Sequence, residues 1–216
     1  MRIGILGSGL MGGKLGTIFA RAGHDVVFSY SRHVKKLERL AREAGGNARA
    51  GTPREAVEAS DVLLVAVNWP QMGDLLKHAG DMSGKVVITT SLPMDKSDTK
   101  LVVAHTSSGA EALAKRTRAR VVSAFSTAPS EAFFDVFAAT KKKKKRKAKR
   151  PSLIYCGDDK RAKKVAAKLI RDVGFEPVDA GPLRMARYCE PFTLLLAQLA
   201  YETGESPELI YRLERL

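Results

Sequence analysis

The spacing of apolar and polar residues changes period repeatedly within the first 45 positions. Arg2 to Leu6 (RIGIL) is a short apolar, β-rich run, whereas from Leu10 to Ala22 the apolar residues fall at helical spacing and stop at Gly23. Asp25 to Tyr30 (DVVFSY) returns to the pattern of a strand, and HVKKLERLAREAGG is an amphipathic helix closed by Gly45 and Gly46. The alternation continues with a helix over Pro53 to Ala59, a strand over Asp61 to Val67, a helix near Gln71 to His78 and a strand over Lys85 to Thr90. It then predicts a helix over Gly109 to Arg116, a strand over Ala119 to Phe125, a helix over Ser130 to Ala138 and a strand over Ser152 to Cys156. A helix over Asp159 to Val173 and an extended stretch over Phe175 to Gly181 follow, and the tail from Leu183 to Leu216 reads as wholly helical with a break near Gly204 to Pro207.

Strands that are apolar throughout, alternating with helices, predict a parallel sheet covered on both faces. The expected fold is α/β, a doubly wound and mostly parallel sheet over residues 1–182, with a short helical extension over 183–216. No internal repeat divides it, and no linker is long enough to separate two full domains.

Between the first strand and the first helix stand Gly7, Ser8, Gly9, Leu10, Met11 and Gly12, a GxGxxG spacing. Alone this is weak, but after a strand and opening a helix of a βαβ unit it is the fingerprint of a Rossmann-type, dinucleotide-binding domain. Gly7 permits the tight turn, Gly9 lets backbone amides approach a pyrophosphate, and Gly12 lets the helix pack on the strand. The helix N-terminus stabilises the phosphate charge.

The end of the second strand chooses between the two nicotinamide dinucleotides. A carboxylate there would bond the adenosine ribose 2′-hydroxyl and repel a 2′-phosphate. This chain has Ser29, Tyr30, Ser31 and Arg32, with Lys35 and Lys36 one turn on. Hydroxyl donors, a guanidinium and further cations suit a phosphate dianion, so NADP(H) is the expected cofactor, with Ser31 and Arg32 on its 2′-phosphate. A solvated helix face accounts for Lys35 and Lys36 equally well, and Lys36 is kept as a candidate.

Composition changes this picture little. The 44% hydrophobic and 28% charged fractions are those of a soluble protein, and no apolar run approaches the roughly 20 residues of a membrane span. Without a signal-peptide pattern, the expected location is the cytoplasm. Cys156 and Cys189 lie in no CxxC or His/Cys cluster, which predicts reduced structural thiols and no metal site. Of the net charge of +14, nine positive charges come from KKKKKRKAKR at Lys141 to Arg150, and the rest of the chain is +5. That run has no interleaved aromatics and no helix-turn-helix context, so it is expected to be a surface loop with nonspecific affinity for polyanions rather than a nucleic-acid reader.

The chain resembles the NADP oxidoreductases that depend on the deazaflavin coenzyme, a family whose Rossmann domain also forms the cytosolic part of six-transmembrane ferric reductases. The resemblance rests on RIGILGSGLMGGKLGTIFARAGHDVVFSYSR, on GAEALAK followed by ARVVSAFSTAPSE, on YCGDDKRAKKVAAKLIRDVGFEPVDAGPLRMARYCEP and on FTLLLAQLAY, and covers nearly all of the chain outside the basic run. It implies hydride transfer between NADP(H) and a deazaflavin, FAD or FMN ring. It also implies Ser8, Gly9, Leu10 and Met11 on the pyrophosphate, and Ser31 and Arg32 on the 2′-phosphate. Val67, Asn68 and Trp69 would border the cofactor, and Ala180, Gly181, Pro182 and Leu183 would line its nicotinamide end. Where relatives commonly have Asn or His followed by Thr and a β-branched residue, this chain has Ser126, Thr127 and Ala128.

Hydride transfer between stacked rings is mostly positioning, whereas reduction of a carbonyl or imine needs a proton donor. The candidate donors are His105, Tyr188, Ser126 and Thr127, while His24, His33 and His78 are expected to be solvated. Trp69 could stack on a ring or close a core edge, and Arg184 and Arg187 could hold an anionic small-molecule acceptor or be solvated. The apolar tail helix FTLLLAQLAY must cover either this sheet's edge or a partner subunit, and a homodimer through the C-terminal helices is the preferred expectation. The alternatives to a ring acceptor are an NADPH-dependent reductase of a small carbonyl or imine, and a non-catalytic NADP sensor or polyanion-binding module.

Overall fold

A computed structural model describes residues 1–141 and 149–214. The Lys142 to Ala148 part of the expected basic loop lies outside these residues. In chain order the elements are β1 (Arg2–Leu6), α1 (Leu10–Arg21), β2 (Asp25–Ser29), α2 (Val34–Ala44), β3 (Ala48–Ala50), α3 (Pro53–Ala59) and β4 (Val62–Val65). A 3-10 turn at Trp69–Gln71 leads into α4 (Met72–Ala79), β5 (Val86–Thr89), α5 (Gly109–Thr117), β6 (Arg120–Ser123) and α6 (Ala132–Lys141). Then come β7 (Ser152–Gly157), α7 (Lys160–Val173), β8 (Glu176–Asp179), a second 3-10 turn at Leu183–Met185 and α8 (Ala186–Tyr201).

The strands form one sheet in the order β3-β2-β1-β4-β5-β6-β7-β8. All neighbours are parallel except β6 and β7, which pair antiparallel only at Val122 with Gly157 and Ser123 with Cys156. Period-two alternation sorts the strand side chains onto two faces. Ile3, Ile5, Val26, Phe28, Val62 and Leu64 meet α1, α2, α6 and α7, while Leu6, Val27, Leu63 and Val65 meet α3, α4 and α5. A chain of edge-to-face rings, Phe19, Phe125, Phe133 and Phe175 at 6.1, 6.3 and 6.0 Å, ties the first face together. Each fully buried ring contributes about 1.5–3 kcal/mol. Because the chain leaves β1 toward β2 on one side and β4 lies on the other, the sheet has its switch point between β1 and β4, where a crevice opens beyond the strand ends.

The structure corrects four expectations. β3 (Ala-Arg-Ala) carries no strand signal of its own; it forms because its backbone completes the free edge of β2, in register Val26 with Ala48 to Phe28 with Ala50. α6 starts two residues later than expected and runs on to Lys141. His24 is buried at 5% exposure, with Nε2 3.0 Å from Asp172 Oδ2, rather than solvated. Finally, the tail is helical only through α8. Gly204 at φ +76° and Pro207 follow it, and the chain then runs along β7, where Ser152 N–H donates to the Tyr211 carbonyl (2.8 Å) and Leu213 N–H to Ser152 Oγ (2.8 Å). The antiparallel β6 reaches only the C-terminal end of β7, so the first half of β7 needs backbone partners, and the tail supplies them.

Candidate functional site

A cleft of about 830 Å³ opens at the β1–β4 switch point, lined by the glycine loop, the end of β2, the start of α2 and the turn after β4. That volume is within the range of small-molecule sites. The loop is shaped by what its glycines lack. A Cβ on Gly7, at φ +109°, would stand 2.4 Å from the Ala66 carbonyl oxygen, and one on Gly12 would stand 1.8 Å from the Gly7 carbonyl oxygen. A Cβ on Gly9 would instead point into open space. Gly9 is the N-cap of α1 and offers no side chain to it, the first turn carries no acidic residue, and Gly13 is bonded back to the Gly9 carbonyl at 2.9 Å. The positive end of α1 therefore faces the cleft with free amides, the arrangement that accepts a pyrophosphate.

The hydroxyls and cations at the end of β2 divide their work. Ser29 Oγ donates inward to the Ile5 carbonyl (2.7 Å) and Ser8 Oγ to the Ser29 carbonyl (3.0 Å), so both fix the loop and neither faces a ligand. Tyr30 sits at φ +58° and its hydroxyl donates to Asp74 Oδ2 at 2.8 Å, joining β2 to α4 across the cleft. Burial first, and then the bond to Asp74, push the Tyr30 phenol up to about 12, so it remains a donor at all working pH values. Ser31 Oγ accepts from the His33 N–H at 3.2 Å. Arg32 and Lys36 line the cleft, and their side chains make no hydrogen bond or ion pair with any described residue. The cleft thus holds two cations with no partner among the described residues and an uncapped helix start, an arrangement with the chemistry to accept a phosphate dianion.

Of the residues singled out from sequence, the cleft brings together Gly7, Ser8, Gly9, Ser31, Arg32, Lys36, Val67 and Asn68. Leu10 is 70% exposed at the start of α1, and Met11 and Gly12 continue that helix outside the cleft lining. Trp69 packs against the α3–α5 side of the core, which favours its reading as a core edge. Ala180, Gly181, Pro182 and Leu183 also stand outside the lining. They follow β8, which runs with β7 and therefore against β1 to β6; the Gly181 carbonyl accepts from Gly157 N–H, level with Val122. Sequence reasoning passed over Asp74 and Gln71 as lining residues and treated His33 and His78 as solvated, although all four line the cleft. For Gln71, Asp74 and His78 the signal was the turn after β4, where the fold delivers a helix start to the crevice; for His33 it was the end of β2, where α2 begins.

Within YCGDDKRAKKVAAKLIRDVGFEPVDAGPLRMARYCEP the charged residues below are held in contacts that fix the backbone and helix ends. Asp158 Oδ1 accepts from Leu183 N–H (2.8 Å), Asp159 caps α7 through Ala162 N–H (2.7 Å), and Asp179 Oδ1 accepts from Gly181 N–H (2.9 Å). Arg187 makes a two-pronged bond to Glu111 at 2.9 and 2.7 Å rather than waiting for an anionic acceptor. Glu190, 2% exposed, accepts from Gly109 N–H (2.9 Å) and Ala110 N–H (3.1 Å) at the start of α5. Burial pushes its carboxyl up to about 7 against the opposing pull of those amides. Cys156 and Cys189 are free and buried; the hydrogen bond between them and then burial raise the Cys156 thiol. His105 is exposed at φ +61°, Tyr188 is 64% exposed, and Thr127, 1% exposed, accepts from the Tyr211 hydroxyl at 2.8 Å. Among the described residues no helix is long and apolar enough to cross a membrane.

The residues that build the cleft also carry the sequence match. Residues 2–93 match the family described as NADP oxidoreductase coenzyme F420-dependent. Over those residues the chain is similar to that family. It is 30% identical over 195 residues to metalloreductase STEAP3 of Rattus norvegicus, an alignment that takes in 90% of this chain and 37% of that protein. The chain thus spans 37% of the length of this curated relative. A solved structure from Arthrobacter sp. FB24, assigned as an F420-dependent NADP-reductase, superposes with a TM-score of 0.84 at 21% identity over 100% of both chains. The imine reductase from Myxococcus stipitatus in complex with NADP+ superposes with a TM-score of 0.65 at 18% identity, over 91% of this chain and 61% of that one. At these identities the two structures speak for the fold.

Proposed function

We propose that this protein is an NADP(H)-dependent oxidoreductase that passes hydride between the nicotinamide and a deazaflavin or flavin-like ring. The observation that carries the reading is the pairing of an open Gly9 cradle with two unpartnered cations, Arg32 and Lys36, at the end of β2. The backbone of Ser8 and Gly9 and the start of α1 would hold the pyrophosphate, and Ser31, Arg32 and Lys36 the 2′-phosphate. When bound, the dinucleotide supplies the hydride; the chain orients it and keeps the strand ends beneath it dry. The family match over residues 2–93 and the NADP+ complex of the Myxococcus relative support the choice of dinucleotide.

A ring acceptor is favoured because the possible proton donors that line the cleft are placed for other work: His33 adjoins Arg32 at the proposed 2′-phosphate end, and His78 Nδ1 bonds to the Asp74 carbonyl at 2.9 Å. Tyr30 is committed to Asp74, and His105 and Tyr188 stand outside the lining. Ring-to-ring transfer needs positioning alone and takes its proton from solvent. The test is anaerobic single-turnover oxidation of NADPH with deazaflavin, FAD, FMN, small carbonyls and imines offered separately. Oxidation by a ring and not by the small compounds is expected, and the reverse pattern refutes the reading.

A homodimer through α8 belongs to the same proposal. Tyr188, Leu195 and Leu199 are exposed at 64%, 55% and 45% along one side of that helix, where a partner helix would cover them. A sedimentation mass equal to the 23.5 kDa monomer at micromolar concentration contradicts it.

A further inference from the structure

The cleft leaves the chain's excess positive charge without a use, and the fold gathers part of that charge on one surface. In α7 the buried residues are Ala162, Ala166, Ala167, Leu169, Ile170 and Val173, while Lys160, Arg161, Lys164, Lys168 and Arg171 are exposed. At 3.6 residues per turn these five cations fall within an arc of about 100°, and the row is about 16 Å long. Lys168 pairs with Asp172 at 2.7 Å, whereas Lys160, Arg161, Lys164 and Arg171 make no hydrogen bond or ion pair with a described residue. Beyond Arg171 lies Gly174, where an added Cβ would stand 2.7 Å from Thr140 Cγ2 at the end of α6, and Glu176 N–H donates to the Pro151 carbonyl at 2.8 Å. The row therefore points toward the place where, in sequence, the nine-cation stretch Lys141 to Arg150 leaves one element and joins the next.

We infer that the exposed face of α7 is a docking surface for a linear polyanion, the phosphate backbone of a nucleic-acid duplex, bound without regard to base sequence. Like-charged side chains held unpaired in a row repel one another, and a polymer of regularly spaced phosphates relieves that repulsion while releasing its own counterions. The stripe presents no exposed large apolar residue, so it has nothing to insert between bases or into a bilayer. It is also narrow, with Asp158, Asp159 and Asp172 at its margins. A flat anionic membrane would bring those carboxylates to its own surface, whereas a rod of phosphates needs the row alone. The basic stretch by itself, lacking aromatics, gave no reason to expect a nucleic-acid partner; the helix face supplies what that stretch lacked, cations fixed in a line. The inference is independent of the proposed hydride transfer.

The test uses the full chain and a fluorescently labelled 25-base-pair duplex of scrambled sequence, followed by anisotropy between 50 and 300 mM NaCl. Binding with a Kd of about 1–100 µM near physiological salt is expected, with log K falling linearly in log salt. Replacing Lys160, Arg161, Lys164 and Arg171 by Gln should make that slope shallower by about 0.9 for each phosphate no longer neutralised. A comparison variant, with Arg42, Arg54, Lys77 and Lys96 replaced by Gln, removes the same charge from other exposed positions and should leave the slope nearly unchanged. Equal reductions in the two variants would reduce the effect to net charge and overturn the assignment. So would no binding at 50 mM salt, or tighter binding to phosphatidylserine-containing vesicles than to duplex at equal phosphate. A melting temperature equal to that of the parent chain shows that each variant is folded.

Discussion

Arg32→Ala isolates the proposed choice of cofactor. In the structure the Arg32 side chain has no partner among the described residues, so its removal takes nothing from the fold, and any weakening of binding belongs to the ligand. A hydrogen bond to a charged group is worth about 1.5–3 kcal/mol, and an exposed guanidinium is screened toward the lower end, leaving about 1–2 kcal/mol. That is roughly a 5- to 30-fold rise in the Kd for NADPH. NADH, which lacks the 2′-phosphate, should bind as before. Calorimetric or fluorescence titration with both cofactors at 50 and 300 mM salt measures the difference, and the selectivity for NADPH should shrink at the higher salt. Equal weakening for the two cofactors, or an unchanged NADPH affinity, would refute the assignment of this residue.

Further expectations follow from the same geometry. Gly9→Ala should keep its melting temperature yet weaken NADPH severalfold, because the added methyl meets no protein atom but sits on a residue that lines the cleft, whereas Gly12→Ala should unfold readily, since its methyl meets the Gly7 carbonyl; thermal melts and titrations of the pair separate cradle from packing. Glu190, with its carboxyl raised to about 7, holds a proton in the folded chain that it gives up in the unfolded one, so stability should decline as pH rises from about 4.5 to 7, by up to about 3 kcal/mol. Chemical denaturation of Glu190→Gln across that window should show the decline flattened. His24 has the opposite sign: burial lowers its titration point, so its contribution is present above the ordinary histidine range and is lost on acidification. Tyr211→Phe removes the bonds to Thr127 Oγ1 and Ile154 N–H and should cost about 1–2 kcal/mol in urea unfolding, with NADPH binding unchanged.

The parts of the molecule that were legible in the sequence are those whose cause is local. RIGIL, DVVFS and VLLV announce strands because buried parallel strands are apolar on both faces, and the glycine spacing announces the loop because only glycine fits at Gly7 and Gly12. That Arg32 lines the cleft was readable because the end of β2 occupies a fixed place in this topology. The failures have distant causes. Ala48–Ala50 is a strand because β2 needs an edge partner, and Tyr211 leaves the helical pattern because half of β7 lacks one. Asp74 and Tyr30 meet across 44 positions of sequence, a pairing no spacing rule could supply. The direction of β7 and β8, and with it the place of Ala180 to Leu183 outside the cleft lining, is set by tertiary pairing and not by their residues.

The most direct test of the proposed activity is deuterium transfer from NADPH labelled at nicotinamide C4 to the deazaflavin, whose accepting position is a carbon that retains the label. The proposed function predicts label in the reduced ring after anaerobic turnover. Oxidation of the dinucleotide with the label absent from the ring, or found in a reduced carbonyl or amine instead, would contradict it.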